Sequence, residues 1–168
     1  MRVARYVLVL AALSPLLAHA QSLVDGEVGR PFHARRYSAE EYAQHNQNWA
    51  VAQDRRGIVY VGNTNGVLEY DGQEWRTIHV TNQLARSLAL GADGRMYVGG
   101  VRELGYLAAD ALGETVYVSL LGELPEGRRT FADVWTTLVT SEGVFFQTFE
   151  QVMRWDGQQM QEIGRAHV

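Results

Sequence analysis

The sequence predicts an all-β fold: an incomplete β-propeller of about three four-stranded antiparallel blades, preceded by a signal-peptide helix. Short apolar runs are separated by Asn-Gly and Asp-Gly turns, which are strong hairpin signals because these residues accept positive φ. The pattern recurs with a mean spacing of about 43 residues between Tyr60, Tyr97 and Phe146. That spacing lies within the ~40–50 residues of a four-stranded blade. No sustained period of 3.6 residues is present, which excludes a helical solenoid.

The first twenty residues have the order of a secretory signal peptide. Arg2 and Arg5 precede an apolar run over residues 6–18, and small residues follow it. The run is shorter than the ~20 residues of a membrane span, although an uncleaved anchor is the alternative. The residues assigned to the cleavage site are Ala18, Ala20 and Gln21. We therefore expect export to the periplasm.

The remaining chain divides at the repeat boundaries. Residues 21–47 are predicted to form a lead-in segment, in which Ser38 and Glu41 have the spacing of a helix-capping box. Residues 48–162 are predicted to form the partial propeller. Its blades are expected over residues 48–80, 81–128 and 129–162. The second blade is predicted to carry an insertion after its third strand. A β-sandwich with accidental self-similarity is the alternative fold.

Composition excludes several functional classes. The chain has 168 residues, is 46% hydrophobic and 20% charged, and carries a formal charge of −4 with arginine as its only basic residue besides histidine. This weak acidity argues against nucleic-acid binding, which needs a dense basic face. The absence of cysteine excludes disulfides, thiolate metal sites and cysteine nucleophiles. The sequence thus describes a folded, exported protein without thiol chemistry.

No motif for catalysis, a metal or a cofactor is apparent. The five histidines lack the close spacing of metal ligands. The turn at residues 63–66, NTNG, lacks the acidic residues of a calcium loop. No Gly-x-Ser-x-Gly nucleophile elbow occurs. We therefore predict no catalytic residue, metal or cofactor in this chain.

Ligand-binding candidates are charged residues that interrupt the repeat. Propeller loops at one end of the strands commonly carry binding sites, and paired arginines suit carboxylate or sulfate groups. The candidates are Arg102, Glu103, Arg128 and Arg129; a solvated charge cluster is the alternative for each. Aromatic residues at repeating positions are instead assigned to the packing between blades, although a sugar-stacking role is the alternative. They are Trp49, Trp75, Trp135, Trp155, Tyr60, Tyr70 and Tyr97.

The first repeat resembles a known family. Residues 48–54 read NWAVAQD, residues 59–72 read VYVGNTNGVLEYDG, and Trp75 follows. This stretch resembles the two-component regulator propeller repeat. The resemblance is strong over the first repeat, fair over the third and weak over the second, where Arg102 and Glu103 lie in place of the Asn-Thr-Asn turn.

The resemblance implies the periplasmic sensor region of a membrane-bound receptor. Such receptors place a membrane helix and an output module, usually a histidine kinase and sometimes a diguanylate cyclase, after the propeller. The implied partners are an extracellular small-molecule or glycan ligand and the remaining blades of the same chain. Nucleic acid is not expected for this region, and membrane contact is expected only through the signal peptide or a downstream helix. A secreted polysaccharide-degrading enzyme and a secreted interaction scaffold are the alternatives.

The last six residues have an unusual sequence. Residues 163–168 read IGRAHV, which matches the translation of a common sequencing adapter. We therefore expect a non-native tail there and a natural protein that continues past Gln161 or Glu162.

Overall fold

The computed structural model describes residues 34–165 and is an all-β fold. The chain divides into two units, Met1–Arg36 and Tyr37–Val168, and the second contains every strand described here. The twelve strands are β1 (Asn48–Gln53), β2 (Val59–Asn63), β3 (Gly66–Tyr70), β4 (Trp75–Ile78), β5 (Ala85–Leu90), β6 (Met96–Gly100), β7 (Glu103–Ala109), β8 (Thr115–Ser119), β9 (Thr136–Thr140), β10 (Gly143–Gln147), β11 (Gln151–Trp155) and β12 (Met160–Arg165).

These strands form three four-stranded antiparallel sheets. Each sheet is a meander in chain order: β1–β4 form the first sheet, β5–β8 the second and β9–β12 the third. β1 contacts β5, and β5 contacts β9. The first strands of the three sheets are therefore neighbours, as in consecutive blades of a propeller. This architecture confirms the predicted all-β fold, which is consistent with an incomplete propeller.

The hairpins follow from the turn residues that the sequence provides. In the β2–β3 turn, the backbone N–H of Asn65 donates a hydrogen bond to Asn63 Oδ1 at 2.9 Å. Gly66 then adopts a φ of 132°, in the region that favours glycine. A Cβ on Gly66 would also clash with the carbonyl oxygen of Ile78 on β4. Glycine at this turn is thus required both by φ and by the close approach of β4.

Two apolar cores lie between adjacent sheets. The first and second sheets bury Tyr60, Val67, Ile78, Val80, Ala85, Met96, Val98 and Leu107. The second and third sheets bury Tyr97, Leu104, Leu120, Leu124, Phe131, Val134, Val144, Phe146, Met153, Trp155 and Met160. Each sheet buries a face against its neighbour, which is the packing expected of stacked repeats.

The predicted insertion of the second repeat contains a strand that the sequence interpretation missed. β8 pairs with β7 from Gly105–Ser119 to Ala109–Thr115 and completes the second sheet. Two 3-10 turns, Leu121–Glu123 and Glu126–Arg128, then lead toward β9. Leu124 and Phe131 of this connection are buried in the core between the second and third sheets. The connection is therefore largely a packing element rather than a free loop.

Residues 37–42 of the lead-in segment pack on the first sheet. The backbone N–H of Ser38 donates to Glu41 Oε2 at 2.6 Å, and the N–H of Glu41 donates to Ser38 Oγ at 3.4 Å, which confirms the predicted capping pair. Tyr37 and Tyr42 then lie against Trp75 at centroid distances of 5.3 and 5.6 Å. Tyr37 and Tyr42 thus cover part of the first-sheet face that points away from the second sheet.

Predictions for the two ends of the chain concern residues that the structure does not describe. Ala18, Ala20 and Gln21 of the expected cleavage site lie outside the described residues, as do the predicted signal-peptide helix and the end of the expected tail. Residues 163–165 of that tail lie in β12. No helix within residues 34–165 has the length and apolar character of a membrane span.

Candidate functional site

The guanidinium of Arg86 lies between two indole rings. Its Cζ atom is 4.0 Å from the ring centroid of Trp49 and 4.1 Å from that of Trp135. Both distances are within the ~6 Å range of a cation–π interaction. Trp49 belongs to the first sheet, Arg86 to the second and Trp135 directly precedes the third, so the stack joins all three sheets.

The stack forms because the three residues occupy the same register position. Each directly precedes the first-strand residue that pairs with the same repeat position on the second strand, which is the fourth residue of β2 and of β6 and the fifth of β10. These pairs are Ala50–Gly62, Ser87–Gly99 and Thr136–Gln147. Trp49 and Arg86 also lie at register shifts in β1 and β5, and such bulges redirect a side chain from the regular alternation. Adjacent first strands then bring the three side chains together.

Exposed aromatic surface continues from the stack. Phe149, in the β10–β11 turn, packs on Trp135 at a centroid distance of 5.1 Å. Trp49 is 36%, Trp135 41% and Phe149 69% exposed. We refer to Trp49, Arg86, Trp135 and Phe149 as the aromatic row. Trp49 and Trp135 thus do pack against Arg86 of the second sheet, as predicted for contacts between blades, but both remain partly exposed and do not belong to a buried core.

The other aromatic residues of the repeat do belong to packing. Tyr60, Tyr70, Tyr97 and Trp155 are buried, which confirms that part of the prediction. Trp75 is half-buried and stacks on Tyr70 at a centroid distance of 4.6 Å. The contrast between buried and exposed members separates the aromatic row from the ordinary core.

Arg86 is held in place by a carboxylate. Its Nη2 lies 2.5 Å from Asp133 Oδ2, and the side chains of Arg86 and Asp133 are 10% and 23% exposed. Nε and Nη1 of Arg86 are buried and make no hydrogen bond within the described part of the chain. The guanidinium is therefore charge-paired on one edge and retains hydrogen-bonding capacity on the other.

The aromatic row has the chemistry of a binding surface. Indole and phenyl faces provide apolar contact to a flat or C–H-rich ligand surface. Exposed aromatic residues held on a rigid scaffold are more informative about binding than single exposed aliphatic residues.

Arg102 and Glu103, two of the predicted ligand residues, lie together at the β6–β7 turn. The backbone N–H of Arg102 donates to the carbonyl of Ala132 at 3.2 Å, and φ of Arg102 is 50°. Glu103 is 1% exposed, and its Oε1 accepts hydrogen bonds from Tyr117 Oη at 3.1 Å and Ser119 Oγ at 2.6 Å. Burial and the nearby Glu103 carboxylate raise the pKa of Tyr117. The Glu103 carboxylate is therefore buried and hydrogen-bonded to hydroxyl groups of β8.

Arg128 and Arg129, the other two predicted ligand residues, lie in the connection before the third sheet. Arg128 Nη1 lies 3.0 Å from Glu162 Oε2. Arg129 donates from Nε to the carbonyl of Leu124 at 2.8 Å and from Nη2 to that of Gly122 at 3.0 Å. These contacts tie Arg128 to β12 and Arg129 to its own loop. None of them joins the two arginines to Arg102 or Glu103.

At the opposite ends of the strands, an Asp-x-Arg turn recurs in the first two sheets. Asp54 contacts Arg56 at 2.8 Å, and Asp93 Oδ2 accepts a hydrogen bond from Tyr97 Oη at 2.9 Å. Burial alone would raise the pKa of Asp54, but hydrogen bonds from Arg56 and from the backbone of Ile58 outweigh it and lower that pKa. Among the described residues, no group of three or more His, Asp or Glu side chains is placed to hold a metal ion.

Comparison with known proteins adds no assignment. The chain matches no protein-family model, and a search of curated proteins finds no significant relative.

Proposed function

We propose that this chain forms part of a ligand-sensing β-propeller, exported to the periplasm, in a membrane-bound signal-transduction receptor of the two-component type. The aromatic row is the observation that carries the proposal, because it aligns three exposed aromatic side chains along the ends of adjacent strands. The repeat sequence and the secretory pattern support the receptor context. The output activity would belong to another part of the receptor.

The position of the row suits a sensor. A ligand shifts a conformational equilibrium only if it binds one state better than another. The row draws residues from the first sheet, the second sheet and the segment preceding the third. A ligand lying along it would contact all three, so its binding energy depends on their relative arrangement. This is the differential contact that signal transmission requires.

The proposed ligand class is a saccharide or a similar ring-shaped small molecule. Aromatic faces contact the C–H face of a sugar ring, and the Arg86 guanidinium lies between the Trp49 and Trp135 indoles and holds both in place. The family resemblance points to glycan breakdown products as one source of such ligands. We propose that Trp49 and Trp135 bind the ring faces and that Arg86 positions the two indoles.

Isothermal titration calorimetry with a neutral and an acidic probe tests this function. We use cellotriose and trigalacturonate, because both present ring faces and only the second carries carboxylates. We expect one of them to bind, and Trp135→Ala to weaken that binding about tenfold, or ~1.4 kcal/mol. Leu112→Ala is the matched control, since Leu112 is 88% exposed in the β7–β8 turn. Binding of neither probe, or equal binding by the Trp135→Ala variant, would contradict the proposal.

Export is tested separately. The chain is expressed in a Gram-negative host, and the amino terminus of the protein in the periplasmic fraction is sequenced. We expect the sequence to begin at Gln21. Retention of Met1 in a cytoplasmic product would contradict the periplasmic location without bearing on the ligand site.

A further inference from the structure

We infer that a cleft between the first and second sheets, at the strand ends opposite the aromatic row, binds a small organic molecule through a carboxylate group. Its volume is about 320 Å³, at the lower end of the ~300–1,000 Å³ of small-molecule sites. We call it the turn-end cleft, and the residues that define it are Arg56, Tyr60, Met96, Leu107, Ala109 and Thr115. This second site is independent of the ligand proposed for the aromatic row.

Two contacts between the sheets hold the walls of the turn-end cleft together. Arg55 Nη2, in the β1–β2 turn, donates a hydrogen bond to the carbonyl of Ala92 in the β5–β6 turn at 3.4 Å. Arg76 on β4 forms ion pairs with Glu69 of its own sheet and with Glu114 in the β7–β8 turn. The first contact joins the inner hairpins of the two sheets, and the second joins the outer hairpins. The cleft therefore has two walls that the protein itself positions.

An extension of the repeat builds part of the second-sheet wall. The β7–β8 hairpin continues two residue pairs beyond its counterpart in the first sheet. The last of these pairs, Ala109–Thr115, lines the cleft together with Gly113 of the turn. Insertions in repeat proteins map to loops on one face, which is often the binding face. The residues that break the repeat thus add a wall that the repeat alone does not provide.

The first-sheet wall presents hydrogen-bond donors. The side chain of Arg56 is 71% exposed, and its hydrogen bonds use Nε, to Asp54, and Nη2, to Tyr60 Oη at 3.2 Å. Both N–H groups of Nη1 are therefore left for a ligand. The Tyr60 hydroxyl accepts from Arg56 and has its own proton to donate. Burial raises the pKa of Tyr60 to about 12, so this proton is present at neutral pH.

The acidic side chains at the cleft are already occupied by protein donors. Asp54 Oδ1 accepts from the backbone N–H groups of Arg56 and Ile58, and Oδ2 is contacted by Nε and Nη2 of Arg56. Asp93 Oδ2 accepts from Tyr97 Oη, and Tyr97 belongs to the core between the second and third sheets. The turn-end cleft therefore offers a ligand donors rather than acceptors. An ionised carboxylate fits such a site because it only accepts hydrogen bonds.

The second-sheet wall is apolar. Met96 and Leu107 line the cleft and belong to the core between the first two sheets. Ala108 and Ala109 extend this apolar surface along β7. Removing a hydrocarbon group from water against such a wall stabilises its binding, whereas an inorganic anion such as phosphate gains nothing from it. Donors on one wall and apolar side chains on the other therefore favour a compact organic carboxylate.

The corresponding cleft between the second and third sheets has nearly the same volume, about 290 Å³, but different charges. Asp93 precedes the second-strand tyrosine of its sheet by four residues, as Arg56 does in the first sheet. Glu142 and Asp156 also line that cleft, and no arginine does so within residues 34–165. Three carboxylates repel an anionic ligand. We therefore expect carboxylate binding at the turn-end cleft and not at its counterpart.

Nuclear magnetic resonance of the purified full chain tests the inference. The probes are benzoate, hexanoate, benzamide as the neutral analogue of benzoate, and inorganic phosphate. We expect at least one of the two organic carboxylates to shift the backbone amide signals of Gly94 and Gly113 saturably, and to leave the indole signals of Trp49 and Trp135 in place. Benzamide and phosphate should bind at least about fivefold more weakly, because benzamide lacks the charge and phosphate the apolar body.

Three results of this titration would overturn the inference. The first is that neither organic carboxylate produces a saturable shift at the turn-end cleft. The second is that benzamide or phosphate binds there as tightly as the carboxylates do. The third is that the shifts are confined to the indole signals, which would place binding at the aromatic row instead.

Two substitutions test the walls separately. Arg56→Gln removes the charged donor and should weaken carboxylate binding about tenfold, whereas Ala109→Phe fills the cleft from β7 and should abolish the binding. Both residues are exposed, and circular dichroism verifies that each variant keeps its sheets. Arg154→Gln is the matched control, since Arg154 lies in the third sheet and donates to Gln161; it should leave binding unchanged. Undiminished binding by either folded cleft variant would contradict the assigned site.

Discussion

Arg86 forms an ion pair with Asp133, with 2.5 Å between Nη2 and Oδ2, and this pair ties the second sheet to the segment that leads into the third. Asp133 is itself fixed by a β-bridge to Val101 at the end of β6. The guanidinium faces are meanwhile covered by Trp49 and Trp135. Arg86 thus makes structural contacts on both faces and on one edge.

Arg86→Leu should lower the free energy of unfolding by ~2–4 kcal/mol. The substitution leaves the largely buried Asp133 without its partner and removes two cation–π contacts of ~0.5–1 kcal/mol each. Urea unfolding monitored by tryptophan fluorescence measures the loss. Asp133→Asn should lower the free energy of unfolding much less in the Arg86→Leu variant than in the wild-type chain, because the two residues share one interaction. Fully additive losses would contradict the pairing.

Glu103→Ala should destabilise the second sheet by ~2–3 kcal/mol, since it leaves the hydroxyls of Tyr117 and Ser119 without their acceptor. Glu126→Ala, at an exposed glutamate, is the control and should change stability by less than ~0.5 kcal/mol. Thermal and urea unfolding compare the variants. A Glu103→Ala protein as stable as the control would instead favour a binding role for this carboxylate.

Stability should fall at alkaline pH. Burial raises the pKa of Tyr60 to about 12, as it does for Tyr97, with added contributions from Glu69 near Tyr60 and from Asp93 near Tyr97. The folded state therefore keeps these protons at pH values where the unfolded chain, with a tyrosine pKa of ~10, releases them. The stabilising contribution of these two tyrosines to the free energy of unfolding is complete below pH ~10 and is lost as the pH rises toward 12.

Urea unfolding at successive pH values measures this loss. The variant Tyr60→Phe/Tyr97→Phe cannot release either proton, so its unfolding free energy should decline less steeply above pH ~10. The near-ultraviolet absorbance of tyrosinate follows ionisation directly. Equal slopes for the wild-type chain and the double variant would show that these two tyrosines do not cause the decline.

Gly62→Ala should destabilise the contact between the first two sheets. A Cβ at Gly62 would lie 2.8 Å from the carbonyl oxygen of Ala85 on β5, so backbone must move, at a cost of ~1–3 kcal/mol. Gly122→Ala is the control, because a Cβ there meets no atom within 4 Å. Differential scanning calorimetry compares the two. Equal melting temperatures would contradict the close approach of β1–β2 to β5.

The sequence predicted the hairpins well because their information is local. Asn63 and Asp71 both initiate turns that the side chains stabilise through short-range hydrogen bonds, and such signals need no tertiary context. β8 was missed because the β7–β8 hairpin extends two residue pairs beyond its counterpart in the first sheet. Because of that extension, Thr115 and its neighbours do not align with the fourth strand of the first repeat.

The aromatic row was only partly predictable. Trp49 and Trp135 repeat, and repetition was interpreted as buried packing, whereas both side chains remain partly exposed. Arg86 interrupts the repeat at the same position, and this substitution was the available signal. Its pairing with Asp133 joins residues 47 positions apart and depends on the path of the connection before β9. A single sequence does not show that path.

Distance measurements between spin labels test the propeller-like arrangement most directly. The chain has no cysteine, so a Val51→Cys/Leu138→Cys pair labels the first strands of the outer two sheets and a Thr77→Cys/Gln161→Cys pair labels their fourth strands. Excess unlabelled chain keeps the measured distances within one molecule. If the sheets diverge from a shared axis along their first strands, double electron–electron resonance should give a clearly shorter distance for the first-strand pair. Equal distances, or a shorter distance for the fourth-strand pair, would contradict that arrangement.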